Sequence, residues 1–175
     1  ATAVAAERGA SQIIVIDGQQ NRLDRAMNCG ATSTISMADY PTAESRVERV
    51  RELTRGIGAD IVVEVVGIAE AAYEGLNMVR INGSYLDIGN IGGGSLTIPA
   101  GKVIGNQTKW VGTVHYNPWV IEAALQFLVK TKDKYQLMDV VSDKFALENI
   151  NEAFEFAEWQ GKDAGTKAQR VALTM

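Results

Sequence analysis

An acidic residue directly follows a short apolar run near the start of the chain. Ile13 to Ile16 are four consecutive branched residues, and Asp17 comes next. Such a run is typical of a strand that is buried on both faces of a parallel sheet. Because open parallel sheets bind ligands at the carboxyl ends of their strands, a carboxylate at this place is positioned to meet one. In a dinucleotide-binding unit, the equivalent acid accepts hydrogen bonds from the adenosine ribose hydroxyls.

The glycine-rich turn that precedes this acid by about 20 residues in dinucleotide-binding units would fall before residue 1. The chain opens on ATAVAAER, residues 1–8, which is typical of the helix that follows such a turn. We therefore expect a sheet without its first strand and without the turn. Weak binding of a pyrophosphate is the expected consequence, since that turn and the helix N-terminus supply much of the affinity.

Composition and charge exclude several classes of function. Of the 175 residues, 46% are hydrophobic, so a packed core is possible, and the net charge of −4 argues against nucleic-acid or membrane-surface binding. We expect no membrane span and no signal peptide. Cys29 is the single cysteine, which fits a reducing compartment and a cytoplasmic location. Together with the single histidine, His115, it cannot make a zinc site of the usual type.

Helical and strand-like segments alternate along the first half of the chain. The predicted strands cover residues 13–16, 34–36, 60–66 and 84–89, and the predicted helices cover residues 2–8, 22–28, 44–55 and 69–80. Strand–helix–strand repetition with short connections is typical of an α/β fold with a doubly wound, Rossmann-like parallel sheet.

The pattern becomes less regular after Gly89. A glycine-rich stretch is followed by segments predicted as a strand at 109–114, a helix from Pro118 to about Lys130, an extended segment at 140–147, a helix capped by Asn149 and a strand at 169–174. Gly92, Gly93 and Gly94 do not directly precede a helix, so we interpret them as a loop and not as a phosphate cradle. Trp110, Trp119 and Trp159 are interpreted as core or interface residues.

Six of these segments come in an order and spacing that resemble the zinc-type medium-chain alcohol dehydrogenases. They are IIVIDGQQNR (13–22), GADIVVEVVG (58–67), GSYLDIG (83–89), KWVGTV (109–114), NINEAFEFA (149–157) and QRVALT (169–174). The resemblance covers nearly the whole chain and matches the back portion of such an enzyme. It implies a partial dinucleotide-binding domain at 1–114 and a segment at 115–175 that returns to an N-terminal catalytic domain, which this sequence does not include.

The resemblance also implies roles for individual residues at the strand ends. Asp17 would hold the adenosine ribose 2′- and 3′-hydroxyls, and Arg22 would reach the same ribose, which favours NAD over NADP. Val66 and Gly67 would let the cofactor approach the backbone closely beneath its riboses. Glu64 is unusual in an apolar strand, and we expect it to be paired or accessible, without a catalytic role.

Five further residues match family positions near the cofactor. Ile88 and Gly89 match a strand end whose backbone meets the nicotinamide ribose and carboxamide. Thr113 and His115 match a segment that binds the carboxamide through main-chain atoms, although a packing or surface role is the simpler interpretation of the histidine side chain. Arg170 matches a basic residue near the pyrophosphate, and an exposed charge at a strand edge is the alternative.

For the complete enzyme, the resemblance implies hydride transfer between an alcohol and NAD with zinc assistance. The zinc ligands belong to the missing domain, so this chain alone is expected to be inactive and to bind NAD weakly. A homodimer or tetramer formed through edge strands near 96–98 and 109–113 is expected. The alternatives are a non-catalytic module that binds a nucleotide or a partner, and a zinc-independent NADPH quinone reductase, against which Asp17 argues. The sequence does not encode the identity of the substrate.

Overall fold

The structure is a computed structural model that describes residues 1–89, 94–158 and 170–175. The interpretations of Gly92, Gly93 and Trp159 lie outside these residues. The chain divides into two compact units: a central unit of residues 37–122 with Ala1, and a split unit of residues 2–36 and 123–175. No helix within the described ranges is both long and apolar enough to cross a bilayer.

Helices and strands alternate in the order that the sequence predicts. The helices are α1 (Thr2–Glu7), α2 (Gln20–Asn28), α3 (Ala43–Leu53), α4 (Ala69–Met78), α5 (Ala100–Asn106), α6 (Trp119–Thr131) and α7 (Ile150–Glu158). The strands are β1 (Ile14–Asp17), β2 (Ser33–Ser36), β3 (Ala59–Glu64), β4 (Val79–Asp87), β5 (Lys109–Gly112), β6 (Asp143–Ala146) and β7 (Val171–Thr174). The described strands pair in parallel throughout, in the orders β1-β2, β3-β4-β5 and β6-β7. The predicted α/β class with parallel pairing is confirmed.

In the split unit, helix α2 positions the strand end that carries Asp17. Its apolar face buries Leu23 and Ala26, and Ile35 of β2 is fully buried in the same unit. The helix ends where the sequence predicts, because Gly30 adopts a φ of +95° that residues with a side chain rarely tolerate. A Cβ atom there would also lie 2.8 Å from Cβ of Ala6. The turn from α2 into β2 is therefore fixed by the glycine.

In the central unit, α4 packs on the sheet β3-β4-β5. Its core consists of Ala72, Leu76, Val79 and Tyr85. Tyr85 is fully buried, and its ring meets that of Trp110 edge-on at a centroid distance of 5.2 Å. Such edge-to-face pairs stabilise a core beyond the area that they bury. Trp110 nevertheless remains 41% exposed and Trp119 is 68% exposed, so neither is a buried core residue, and an interface role for them stays a prediction.

Three details of the central unit differ from the predictions. Strand β3 ends at Glu64 and not at Val66, and it is not fully buried, since Ile61 is 64% exposed. Strand β4 begins at Val79, immediately after α4, and not at residue 84. Its pairing with β3 is locally irregular, and Asn82 within it has a φ of +64°. Helix α5 was not predicted, because seven residues with two glycines show no clear helical periodicity.

Glu7 of α1 is the centre of a charged cluster in the split unit. Its carboxylate accepts hydrogen bonds from Nζ of Lys134 and from the Tyr135 hydroxyl, the latter at 3.1 Å. The hydrogen bond from Lys134, with that from Tyr135 next in importance, lowers the pKa of Glu7 from its ordinary value of 4.5. A carboxyl group whose pKa is lower in the folded state stabilises the fold above its unfolded pKa, and this contribution is lost as the pH falls through the folded pKa.

We therefore expect Glu7→Gln to lower the melting temperature at pH 7, because Lys134 and Tyr135 lose an ionised partner. The difference from wild type should shrink as the pH falls below about 4.5 and vanish below the folded pKa of Glu7. Thermal unfolding followed by circular dichroism between pH 2 and pH 7 measures it, with pH values chosen to span the ordinary carboxyl range. Glu155→Gln, on the exposed face of α7, is the matched control, and a difference that does not change with pH would contradict the prediction.

Candidate cofactor-binding site

Asp17 is the last residue of β1 and lies opposite Ser36 in β2. Its Oδ1 atom accepts a hydrogen bond of 2.8 Å from the backbone N–H of Gln19. Its Oδ2 atom lies 3.8 Å from a guanidinium nitrogen of Arg22, and the side chain is 27% exposed. The carboxylate is thus held in one orientation by its own turn while part of it still faces solvent. This arrangement suits an acceptor for hydroxyl groups of a ligand.

Helix α2 brings Arg22 to this acid. The helix begins at Gln20, so Arg22 lies in its first turn, five residues after Asp17. The structure therefore brings together the acid and the base that the sequence singled out. Because both side chains remain partly exposed, their attraction is screened and contributes little to stability. Their proximity therefore matters more for a candidate ligand site than for the stability of the fold.

In the central unit, the ends of β3 and β4 meet through two glycines. Gly67 has a φ of +88°, and a Cβ atom on it would lie 2.6 Å from the carbonyl oxygen of Gly89. A Cβ atom on Gly89 would lie 2.5 Å from the backbone nitrogen of Gly67. No side chain fits at either position. The two strand ends therefore approach each other closely, a contact that was not predicted from the sequence. The expected close approach of a cofactor to this backbone stays a prediction.

Glu64 is the last residue of β3. The residue is only 5% exposed, and its Oε1 atom accepts hydrogen bonds from the backbone N–H groups of Val66 (2.5 Å) and Gly67 (2.7 Å). Burial of a carboxylate is costly unless hydrogen bonds compensate it, and these two bonds do so. The expectation that Glu64 is paired is correct. Its importance to the candidate site was missed, although an acid inside an apolar strand was the available signal.

The segment after β5 carries Thr113 and His115. The backbone N–H of Thr113 donates to the carbonyl of Asp87 at 2.9 Å, and its hydroxyl donates to the carbonyl of His115 at 3.2 Å. His115 itself is exposed. The main chain of this segment is therefore tied to the end of β4 and to its own turn.

Arg170 lies immediately before β7 in the split unit. Its carbonyl oxygen accepts hydrogen bonds from the backbone of Ser142 (3.0 Å) and Asp143 (3.4 Å), which fixes its main chain beside β6. The residue is exposed at this strand edge. Among the described residues, no group of three or more His, Cys, Asp or Glu side chains is arranged to hold a metal ion. The residues that the structure describes do not fit a zinc site.

Comparison with known proteins gives a consistent set of relatives. Residues 1–130 match the family model described as zinc-binding dehydrogenase. The chain is 34% identical over 159 residues to 5-exo-hydroxycamphor dehydrogenase of Pseudomonas putida, covering 90% of this chain and 44% of that protein. It is 28% identical over 156 residues to sorbitol dehydrogenase 1 of Saccharomyces cerevisiae, covering 88% of this chain and 43% of that protein.

Solved structures agree with these relatives. An alcohol dehydrogenase from a Thermus species superposes with a TM-score of 0.83 at 28% identity, over 99% of this chain and 46% of that one. An alcohol dehydrogenase from Thermotoga maritima has the same fold, with a TM-score of 0.83 at 24% identity, over 98% of this chain and 45% of that one. The chain spans less than half the length of the relatives it matches.

The fold is that of the C-terminal, cofactor-binding portion of alcohol dehydrogenases, with parallel strands whose carboxyl ends carry the candidate residues. The chain belongs to the zinc-binding dehydrogenase family, and it corresponds to the C-terminal portion of the zinc-type medium-chain alcohol dehydrogenases.

Proposed function

We propose that this chain is the cofactor-positioning part of an oxidoreductase that transfers a hydride between an alcohol and NAD. The geometry of Asp17, an acid held at the carboxyl end of a parallel strand, carries the proposal, and family membership supports it. NAD supplies the hydride-accepting nicotinamide when it is bound. The residues of this chain orient the cofactor and select it.

Asp17 selects the cofactor through its charge. One of its oxygens is anchored by the N–H of Gln19, and the carboxylate still has capacity to accept hydrogen bonds from the ribose 2′- and 3′-hydroxyls. A negative charge here repels the 2′-phosphate of NADP, so NAD is preferred. Arg22 binds the same ribose from the first turn of α2.

The remaining candidate residues contribute mainly backbone. Val66 and Gly67 at the end of β3, and Ile88 and Gly89 at the end of β4, contact the cofactor riboses. Thr113 and His115 orient the carboxamide through main-chain atoms, and Arg170 is placed for the pyrophosphate. The dinucleotide-binding domain is proposed to end at residue 114, and residues 115–175 form the segment that returns to the catalytic domain.

The substrate proposed for the complete enzyme is a small alcohol or the corresponding carbonyl compound. Relatives named for hydroxycamphor, sorbitol and xylulose support this class. The described residues do not fit a metal ion, so zinc assistance is proposed for the complete enzyme only, and the chain alone is proposed to be inactive. A homodimer or tetramer is proposed because β5 is an edge strand that can pair with another copy. A cytoplasmic location is proposed because Cys29 is a free cysteine.

Titration of the purified chain with NADH and NADPH, followed by the fluorescence of the reduced nicotinamide, tests the proposal. NADH should bind weakly but more tightly than NADPH. Asp17→Asn keeps an oxygen for the Gln19 N–H but loses the charge and one acceptor. It should weaken NADH binding about tenfold, or about 1.4 kcal/mol, and narrow the preference over NADPH.

Asp24→Asn is the matched control, since it removes the same charge from an exposed position on α2. It should leave both affinities unchanged. Unchanged NADH binding by Asp17→Asn would overturn the assigned role of Asp17. Tighter binding of NADPH would favour the quinone reductase alternative, and binding of neither nucleotide would favour a partner-binding module.

A further inference from the structure

Four backbone N–H groups at the ends of β3 and β4 donate to one residue, Glu64. Its carboxylate accepts from Val66 and Gly67, as described above. Its main-chain carbonyl accepts from Ile88 at 3.0 Å and from Gly89 at 3.2 Å. The four donors are the four residues that the sequence selected at these two strand ends. A single residue therefore organises both halves of this backbone surface.

The two kinds of hydrogen bond are not equivalent. Any residue at position 64 supplies the carbonyl that holds Ile88 and Gly89. Only a side chain that ends in a hydrogen-bond acceptor can bind the backbone N–H groups of the residues two and three positions later, Val66 and Gly67. Those two bonds hold the chain in the turn that gives Gly67 its φ of +88° and brings it against Gly89. The carboxylate therefore adds two hydrogen bonds to this turn that the pairing of β3 with β4 does not supply.

The hydrogen bonds also determine which ligand groups this surface can bind. With their N–H groups directed at Glu64, the four residues retain their carbonyl oxygens, which receive no hydrogen bond from the described part of the chain. Carbonyl oxygens accept hydrogen bonds and do not donate them. Hydroxyl and amide groups of a ligand suit such a surface, and phosphate groups do not.

We propose that Glu64 is a positioning residue that turns the ends of β3 and β4 into a surface of hydrogen-bond acceptors for the ribose hydroxyls of the dinucleotide. This inference rests on the proposed function, because it assumes that a dinucleotide is the ligand. Glu64 does not touch the ligand in this proposal. It acts by holding the N–H groups of Val66 and Gly67 away from it.

Two substitutions separate this role from a simple need for charge. Glu64→Gln keeps an oxygen that can accept both N–H groups, whereas Glu64→Leu keeps the size and removes the acceptor. Both remove the charge. NADH affinity of the Gln variant should stay within about threefold of wild type, and that of the Leu variant should fall at least tenfold, which is about 1.4 kcal/mol. Glu48→Leu, on the exposed face of α3, is the matched control and should bind as wild type.

Amide hydrogen exchange of Val66 and Gly67 provides a readout that does not depend on NADH. Their amides should be protected in wild type and in Glu64→Gln, and should exchange at least tenfold faster in Glu64→Leu, while amides of α4 change little. Should Glu64→Leu fail to fold, wild type and Glu64→Gln still test the contact, because unprotected Val66 and Gly67 amides in either one overturn it.

The two proposals fail in different ways. If wild type does not bind NADH but the exchange pattern holds, the proposed function is wrong and the structural role of Glu64 stands. If wild type binds NADH and the Leu variant binds equally well, or the Gln and Leu variants lose affinity equally, the positioning role is wrong and the proposed function stands.

Discussion

Glu74→Gln is expected to lower the free energy of unfolding by about 3 kcal/mol. In the central unit, Glu74 of α4 forms a two-pronged ion pair with Arg46 of α3, in which both nitrogen–oxygen distances are 2.6 Å. Arg46 also donates to the carbonyl of Tyr40 at 3.0 Å. Only 8% of the Arg46 side chain and 13% of the Glu74 side chain are exposed.

The size of this effect follows from what remains after the substitution. The hydrogen bonds to Glu74 raise the pKa of Arg46. This support disappears in the variant, but the guanidinium still stays charged, because arginine is not deprotonated in proteins. Breaking a buried pair by removing one partner costs about 3–5 kcal/mol, because the other charge is left without compensation. The residual exposure of both side chains places the expected value at the lower end.

Urea denaturation monitored by circular dichroism measures the loss. An exposed ion pair within α3, Arg49 with Glu52 at 2.9 Å, provides the control. Since 36% of the Arg49 side chain and 65% of the Glu52 side chain are exposed, Glu52→Gln should cost less than about 0.5 kcal/mol. Equal losses in the two variants would show that burial does not determine the strength of the pair.

A double substitution tests whether the loss of stability comes from leaving Arg46 as an unpaired buried charge. Arg46→Met combined with Glu74→Leu removes both charges and leaves apolar side chains of similar length. Such replacements of buried ion pairs are often neutral or stabilising. The double variant should therefore be more stable than Glu74→Gln alone. Its loss of stability should also be much smaller than the sum of the losses caused by Arg46→Met and by Glu74→Leu separately.

Gly67→Ala is expected to destabilise the central unit by about 3 kcal/mol and to weaken NADH binding. A φ of +88° costs a residue with a side chain about 1–2 kcal/mol. The added Cβ atom would also lie 2.6 Å from the Gly89 carbonyl oxygen. Since that atom belongs to the backbone, relief requires the ends of β3 and β4 to move apart, at a further cost of about 1–3 kcal/mol.

Gly101→Ala is the matched control for this substitution. Gly101 lies in α5 of the same unit, and a Cβ atom there would meet nothing within 4 Å. Alanine in a helix is favoured over glycine by about 1 kcal/mol, so the control should be as stable as wild type or slightly more stable. Urea denaturation gives both values. A wild-type-like Gly67→Ala variant would mean that the two strand ends are not held in contact.

Much of the candidate site could be predicted because its signals are local. Asp17 directly follows an apolar run, and Arg22 falls in the first turn of α2, so sequence spacing alone brings them close. Gly67 and Gly89 end predicted strands, and parallel strand ends meet at one edge of a sheet. Glu64 was noticed as unusual, but its partners were not predictable, because a hydrogen bond from a side chain to a nearby N–H depends on the turn that the chain adopts.

From the sequence alone came the alternation of helices and strands other than α5, the parallel α/β class, the family resemblance and the acid at the end of β1. These properties depend on periodicity and on residue type at fixed spacing, which are local. Tertiary structure alone decided that β3 exposes Ile61, that Gly67 meets the backbone of Gly89, and that Glu64 organises both strand ends. The pairing of Arg46 with Glu74, 28 residues apart, belongs to the same group. Such features arise when segments distant in sequence come into contact in the folded chain, and no local sequence pattern specifies which residues meet there.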